Sequence, residues 1–230
     1  MTEPEILHIR PEDEDPKDIY KMMIGLVVPR PIAFVSTVDA AGNRNLAPFS
    51  FYNAISSSPP TLCFSTALRS GSTNGLRPCK DTLHNVHETG EFVVNVVTED
   101  IAERMNATAA EVAPEVDEFA LAGLTPVASE VVRAPRVAEA KAQMECKLLQ
   151  IVPIGDRPGG ANLVIGEIVR FHVQSQIFDK FRIDADKLAA VGRMAGAVYV
   201  RTHDRFDLER PRSAKEARDM LTHDAKPVKM

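Results

Sequence analysis

The chain has 230 residues, a formal net charge of -5 and a hydrophobic content of 44%. This length allows one domain with a sizeable core, and the acidic balance offers no basic stripe for a polyanion. Apolar runs fall short of the ~20 residues of a membrane-spanning helix, so neither nucleic acid nor a membrane is an expected partner.

The N-terminal segment and the cysteines bear on the cellular compartment. The first residues are acidic and lack the basic start and apolar run of a secretory signal, which predicts a cytoplasmic protein. Cys63, Cys79 and Cys146 are odd in number and widely spaced, with no CxxC motif. This pattern argues against a disulfide framework, a structural zinc site or a thiol redox pair.

The stretch from Arg30 to Asn53, RPIAFVSTVDAAGNRNLAPFSFYN, predicts a β-hairpin. Its first half is rich in apolar and β-branched residues and stops at a cluster from Asp39 to Asn43 that is typical of a reversal. Pro48 in the returning half cannot donate to a ladder, so it indicates an edge, a bulge or the end of pairing. Small and polar neighbours fit either a kinked edge strand or a flat ligand close to the backbone.

The segment from Cys79 to Gly90 predicts a short helix with Asp81 as its N-cap and Gly90 as its C′ residue. Lys80 and Thr82 then stand at a helix N-terminus, where free N–H groups and the helix dipole favour an anion such as phosphate. A plain cap with a solvated lysine is the alternative. The helix carries two histidines but no HExxH pattern, and no metal site is expected.

The loop from Ala67 to Pro78 precedes this helix. It is either a flexible surface loop or a cover for a phosphate, with the guanidinium of Arg69 supplying a planar donor fork.

The remaining pattern is dominated by strands, which we expect over Thr61–Thr66, Glu91–Val97, Ala140–Val152 and Asn162–Val173. A turn is expected at 56–60 and a helix at 98–109. Many strands with few helices between them, and the absence of GxGxxG and P-loop motifs, favour a mainly β antiparallel barrel with peripheral helices over a doubly wound sheet.

These elements predict one domain over residues 1–200. Residues 1–23 read as an extended N-terminal arm, with a helical turn near Asp18 to Met23. Residues 201–230 form a charged C-terminal tail too poor in apolar residues to have a core of its own.

An ordered set of motifs spans Arg30 to Tyr199: RPIAFVST, NLAPFSFYN, KDTLHNV, EFVVNVV, AGLTP and VGRMAGAVY. Together they resemble the flavin reductase family, whose flavoredoxin-like members bind FMN in a split β-barrel. The resemblance implies that one group of residues lines the flavin ring, that a second group holds the ribityl phosphate, and that Arg193 closes the site. The first group is Asn45, Leu46, Ala47, Pro48 and Ser50, and the second is Ser65, Arg69, Lys80, Asp81 and Thr82.

The resemblance also implies a function. It predicts an NAD(P)H:flavin reductase, an oxidoreductase that transfers a hydride to FMN and passes electrons to free flavin or another acceptor. It implies a homodimer and is compatible with a partner oxygenase or redox protein. An FMN-containing electron carrier that does not use NAD(P)H and a non-catalytic flavin-binding module are the alternatives, and the choice between NADH and NADPH stays open.

Overall fold

The computed structural model describes residues 4–68, 79–156 and 159–222. Within these ranges the strands are, in chain order, β1 (Ala33–Val38), β2 (Arg44–Phe49), β3 (Tyr52–Ser57), β4 (Pro60–Ala67), β5 (Glu91–Val96), β6 (Pro126–Val127), β7 (Arg136–Val137), β8 (Ala142–Ile154), β9 (Ala161–Val173), β10 (Phe178–Asp179), β11 (Arg182–Ile183), β12 (Val191–Arg193) and β13 (Tyr199–Arg201). The α-helices are α1 (Pro16–Leu26), α2 (Asp81–Thr89), α3 (Ala102–Ala107), α4 (Glu118–Ala122), α5 (Ala185–Leu188) and α6 (Ala214–Thr222).

One antiparallel sheet organises the molecule, with the strand order β2-β1-β5-β8-β9-β4-β3. The strands at its two edges, β2 and β3, are consecutive in the chain and separated only by Ser50 and Phe51. Because so short a link cannot cross an open sheet, the sheet curls until its two edges meet. The expected mainly β barrel is confirmed.

The predicted hairpin is formed by β1 and β2, in a register that pairs Val35 with Ala47 and Thr37 with Asn45. The reversal places Gly42 at a φ of 92°, a conformation that favours glycine. Pro48 lies on β2, an edge strand, so of an edge, a bulge and the end of pairing the structure shows the first.

Strand β3 is a departure from the sequence prediction, which had a turn at 56–60 and no strand between Phe51 and that turn. Residues 52–57 pair with β4 even though most of their side chains are exposed and polar. No apolar alternation reveals such a strand, because its stability comes from its ladder with β4 and not from a buried face.

Two of the three hydrophobic clusters in the described core share strand β1. Phe34 faces a cluster with Leu46, Met105 and Phe119, on the side covered by α3 and α4. Ala33 and Val35 face the barrel interior, where Phe64 stacks at 5.1 Å from Phe49 and 5.3 Å from Phe92 between ring centroids. Burial on both faces explains why apolar residues occupy four of the six positions of β1, including consecutive ones.

The helices modify three predictions. Helix α2 is confirmed and ends at Gly90 with a φ of 68°, but its N-cap is Lys80 and Asp81 is already helical. The predicted helix at 98–109 is a 3₁₀ turn at Glu99–Ile101 followed by α3. The N-terminal arm contains three helical turns, α1, because Asp15 caps the helix at the Lys17 amide and Pro16 occupies its first position.

The C-terminal tail carries the short helix α6, whose side chains in the described part are largely exposed. Across the described ranges, none of the helices has both the length and the apolar content to cross a membrane.

Candidate functional site

A cavity of about 1220 Å³ opens at the corner where the two edge strands of the barrel meet. Its walls come from β2 and the corner itself, the end of β4, the start of α2, the segment 108–112 and one side of α1. The cavity therefore lies at the split between the two edges of the sheet, where β2 has no neighbouring strand on one side.

Most of the residues that the sequence selected for the flavin line this one cavity. They come from three separate stretches of the chain: Asn45, Ala47, Pro48, Ser50, Ser65, Lys80, Asp81 and Thr82. Their convergence follows from topology, because β2 and β4 meet across the split and α2 begins beside them.

Two selected residues fall elsewhere, and a third is outside the described part of the chain. Leu46 is fully buried in the core beside Phe34, because its side chain points to the opposite face of β2 from Asn45 and Ala47. The guanidinium of Arg193 lies 4.5 Å from the ring centre of Tyr199 and donates to the Gly196 carbonyl, apart from the cavity lining. Arg69 lies outside the described residues.

The edge of β2 that faces away from β1 contributes polar backbone to the wall. The Leu46 N–H donates to Oε2 of Glu118 at 3.0 Å, so it points outward from the β1–β2 ladder. Pro48, two residues further, directs its nitrogen the same way and costs the ladder no donor. The sequence can thus place a proline here without weakening β2.

The start of α2 forms the adjoining wall. Lys80 makes no side-chain cap bond to the helix, and its ammonium lies 3.5 Å from Glu111. The Asn45 side-chain amide donates to the Thr82 hydroxyl at 2.8 Å. This contact joins a residue assigned to the ring with one assigned to the phosphate, so the two groups of residues meet directly at this point of the wall.

Helix α1 covers the cavity and is held by one buried arginine. The Arg30 guanidinium donates to the carbonyls of Ile24 at 2.8 Å, Val27 at 2.7 Å and Met194 at 2.9 Å. It also lies 3.4 Å from the Ser50 hydroxyl at the corner between β2 and β3. Arg30 therefore links the end of α1 to the cavity corner and to the segment after β12.

The profile of the flavin reductase like domain matches residues 24–205 of this chain. The chain belongs to the flavin reductase-like family. The matched range includes every strand of the barrel and all of α2, and it leaves out most of α1 and all of α6.

Solved structures agree with this assignment. Nitrilotriacetate monooxygenase component B from Bacillus cereus is 38% identical with a TM-score of 0.83, over 89% of this chain and 100% of that one. The 2-nitrobenzoate 2-nitroreductase NbaA of Pseudomonas fluorescens is 32% identical with a TM-score of 0.78, over 90% and 97%. A protein of Shewanella frigidimarina with a split barrel domain, at 24% identity and a TM-score of 0.75 over 89% and 99%, shows the same fold. The split-barrel fold is therefore established for this flavin reductase-like chain.

The flavin reductase-like cavity contains one carboxyl that sequence reasoning missed. Glu118 opens α4, is 6% exposed and lines the cavity wall. Burial raises the pKa of Glu118 to about 7, against the hydrogen bond from the Leu46 amide and with support from the negative charges of Asp81 and Asp117. A glutamate in the first turn of a short helix is ordinarily solvated, so no sequence signal marks it.

The contribution of α1 was also missed, although a signal existed. Asp15 followed by Pro16 and Lys17 is a recognisable helix start, and the residues after it contain enough apolar side chains for one covered face. Ile19, Tyr20 and Met23 of this helix line the cavity.

Proposed function

We propose that this protein binds FMN in the split-barrel cavity and acts as an NAD(P)H:flavin reductase. A hydride from NADH or NADPH reduces the flavin, and the electrons pass to free flavin or another acceptor. The observation that carries the proposal is that most of the ring and phosphate residues, which come from three stretches of the chain, line one cavity in a member of the flavin reductase-like family.

The start of α2 has the donors that a phosphate needs. Lys80 supplies a cation, Thr82 a hydroxyl, and the first turn of a nine-residue helix its amides and the positive end of its dipole. The ammonium of Lys80 exchanges Glu111 for the stronger phosphate charge in this proposal. Ser65, near the end of β4, and Arg69 complete the set of residues that we propose to bind the phosphate.

The β2 wall fits the flat ring. Ala47 and Pro48 offer small, flat contacts, while Asn45 and Ser50 offer polar groups to the edge of a planar ligand. Leu46 supports this wall from the core. For Arg193 to close the site, its guanidinium has to leave the Tyr199 ring and turn toward the cavity.

The size of the cavity supports a second ligand beside the flavin. At about 1220 Å³ it exceeds the ~300–1,000 Å³ of ordinary single-ligand pockets. Hydride transfer needs the two partners within contact distance, and one shared cavity provides that proximity. Bound flavin supplies the redox chemistry, while α1 and the β2 wall exclude water and orient both partners.

The final acceptor is proposed from the similar structures. One of them is component B of a monooxygenase and another is a nitroreductase. We propose that reduced flavin from this protein serves a separate oxygenase, and that direct reduction of a nitroaromatic compound is the second candidate.

The visible spectrum of the purified protein, before and after anaerobic NADH or NADPH, tests the proposal. We expect a flavin spectrum after FMN is added, bleaching by a nicotinamide nucleotide, and continued NAD(P)H oxidation when free FMN is in excess. Flavin that binds but is not bleached by either nucleotide would instead establish the electron carrier. Failure to bind FMN would reject both functions.

Addition of 2-nitrobenzoate to the reduced protein separates the two acceptor candidates. Reoxidation by the nitro compound under anaerobic conditions favours the nitroreductase, whereas reoxidation only by free flavin or by oxygen favours the supply of reduced flavin.

A further inference from the structure

Glu118 differs from the other acids of the cavity because it is buried in the wall. Its residue exposure is 6%, whereas the side chain of Glu111 on the same cavity is 57% exposed. Oε2 of Glu118 accepts the Leu46 amide at 3.0 Å, so the carboxyl is attached to the β2 wall on which the ring is proposed to lie.

The charges around Glu118 are unfavourable for its ionised form. Asp81 at the start of α2 and Asp117, its neighbour in sequence, both act on it with negative charge. Arg44, two residues before Leu46 on β2, carries a positive charge, but its guanidinium pairs with Asp117 at 2.7 Å.

The other cations near α4 are also engaged with different groups. Lys80 lies 3.5 Å from Glu111, and Arg104 of α3 binds the Gly123 carbonyl at the far end of α4 at 3.1 Å. Among the described residues, no salt bridge joins Glu118 to a cationic side chain.

The Glu118 carboxyl accepts from backbone amides, those of Leu46 and of Glu118 itself, and has no cationic partner among the described residues. A buried carboxylate without a cation is costly, and the group avoids the cost by holding a proton. An anionic ligand in the same cavity adds negative charge and makes the ionised form still less favourable. By linkage, a ligand that favours the protonated carboxyl binds better when the carboxyl is protonated.

We propose that Glu118 is a proton-accepting residue of the ligand site, and that an anionic ligand enters the cavity together with a proton on Glu118. The identity of the anion as FMN rests on the proposed function. The proton comes from solvent and stays on the carboxyl while the ligand is bound, so no bond of the ligand is made or broken.

The test is the pH dependence of FMN affinity, measured by quenching of flavin fluorescence from about pH 6 to about pH 8.5. For the wild-type protein we expect the affinity to fall toward high pH, by up to about tenfold per pH unit if one full proton is taken up. In Glu118→Gln the amide oxygen still accepts from Leu46 but the side chain cannot ionise, so we expect the fall to disappear. Calorimetry in buffers of different ionisation enthalpy should show proton uptake for the wild type and not for Glu118→Gln.

Three controls separate the carboxyl from other titrations. The FMN phosphate has a second pKa near ~6 and gains charge as pH rises, in both proteins alike. Glu111→Gln removes the same charge from the cavity but leaves Glu118 in place, so its pH profile should keep the wild-type slope. Glu118→Asp retains a titratable group, so we expect it to keep part of the slope. This variant provides the test if Glu118→Gln folds poorly.

Identical pH profiles and identical proton uptake in the wild type and Glu118→Gln would overturn the role of Glu118 while leaving FMN binding intact. Absence of FMN binding by the wild type at every pH would overturn the proposed function, and the Glu118 proposal with it.

Discussion

At the scale of single residues, Lys80 is the cation best placed to show whether the start of α2 holds a phosphate. In Lys80→Ala we expect FMN affinity to fall about tenfold or more, because a charge-assisted hydrogen bond contributes roughly 1.5–3 kcal/mol. Turnover at saturating FMN should change little, since the phosphate does not react. Fluorescence titration with FMN and riboflavin measures this, with Lys147→Ala on the exposed part of β8 as the control. Equal affinity of the wild type for FMN and riboflavin would contradict the assignment.

Gly166 is a residue at which packing alone excludes any side chain. A Cβ at this position would lie 2.4 Å from Cζ of Phe92, whose ring is fully buried. We expect Gly166→Ala to lower the free energy of unfolding by about 1–3 kcal/mol, as overpacking does.

Gly25 provides the matched control for that substitution. It lies inside α1 and is exposed, and a Cβ added to it would meet no atom within 4 Å. Gly25→Ala should raise the free energy of unfolding by about 0.5–1 kcal/mol, because alanine is the better helix former. Denaturant unfolding of both variants measures the two changes in the free energy of unfolding, which should have opposite signs. A destabilised Gly25→Ala would show that α1 is packed more tightly than its exposure indicates.

The carboxyl of Glu118 predicts a pH dependence of stability without any ligand. Its folded pKa of about 7 lies above the ordinary value of 4.5. Between these values the folded protein binds more protons than the unfolded chain. The free energy of unfolding therefore falls as pH rises through this range, and Glu118 causes no further change above its folded pKa. Relative to the wild type, Glu118→Gln should therefore gain roughly 1–3 kcal/mol between about pH 5 and about pH 8. A difference that stays constant over this range in denaturant unfolding would show an unperturbed carboxyl.

At the scale of elements, α1 depends on Arg30 for its position over the cavity. None of the α1 residues is buried, and Arg30 supplies donors to the carbonyls of Ile24 and Val27 at its end. Lysine cannot reproduce the planar fork, so Arg30→Lys should leave partly buried carbonyls without donors and cost about 1–3 kcal/mol.

Hydrogen–deuterium exchange over residues 16–26 measures the consequence for α1. We expect faster exchange there in Arg30→Lys, together with weaker FMN binding. Arg10→Lys should change neither, because Arg10 is exposed and, within the described ranges, pairs with its neighbours Glu12 and Asp13. Unchanged exchange in α1 would mean that another contact positions the helix.

At the scale of the whole molecule, the surface keeps large apolar side chains uncovered on three strands. Ile55 on β3, Leu149 on β8 and Phe171 on β9 are each more than half exposed. Such exposure is expected where a second subunit packs, and the family resemblance implies a homodimer. Sedimentation equilibrium should give twice the mass of one chain, and a monomer with full FMN occupancy would contradict this.

Much of the barrel was readable from local patterns. The β1–β2 hairpin, α2 with its glycine end and the two long strands β8 and β9 follow from local residue patterns, turn clusters and caps, each of which acts over a few neighbouring residues. Strand β3 was missed because its exposed polar face has no such alternation. The site residues of β2, β4 and α2 were selected through the ordered family motifs, and their meeting at one cavity is a property of the closed sheet.

Motifs and local patterns were enough to establish the family, the mainly β architecture and the residue types available for a phosphate and a flat ring. Which of those residues share a wall depends on the folded chain, which turns Leu46 into the core, sets Arg193 on Tyr199 and brings α1 over the cavity. The fold also raises the pKa of Glu118 by burying its carboxyl against the β2 wall, beside Leu46, which is 72 positions away in the chain. It anchors α1 through Arg30, which contacts Met194 across 164 positions. Burial and electrostatic environment depend on neighbours in space, and contacts between residues so far apart in the chain leave no periodic pattern in the sequence.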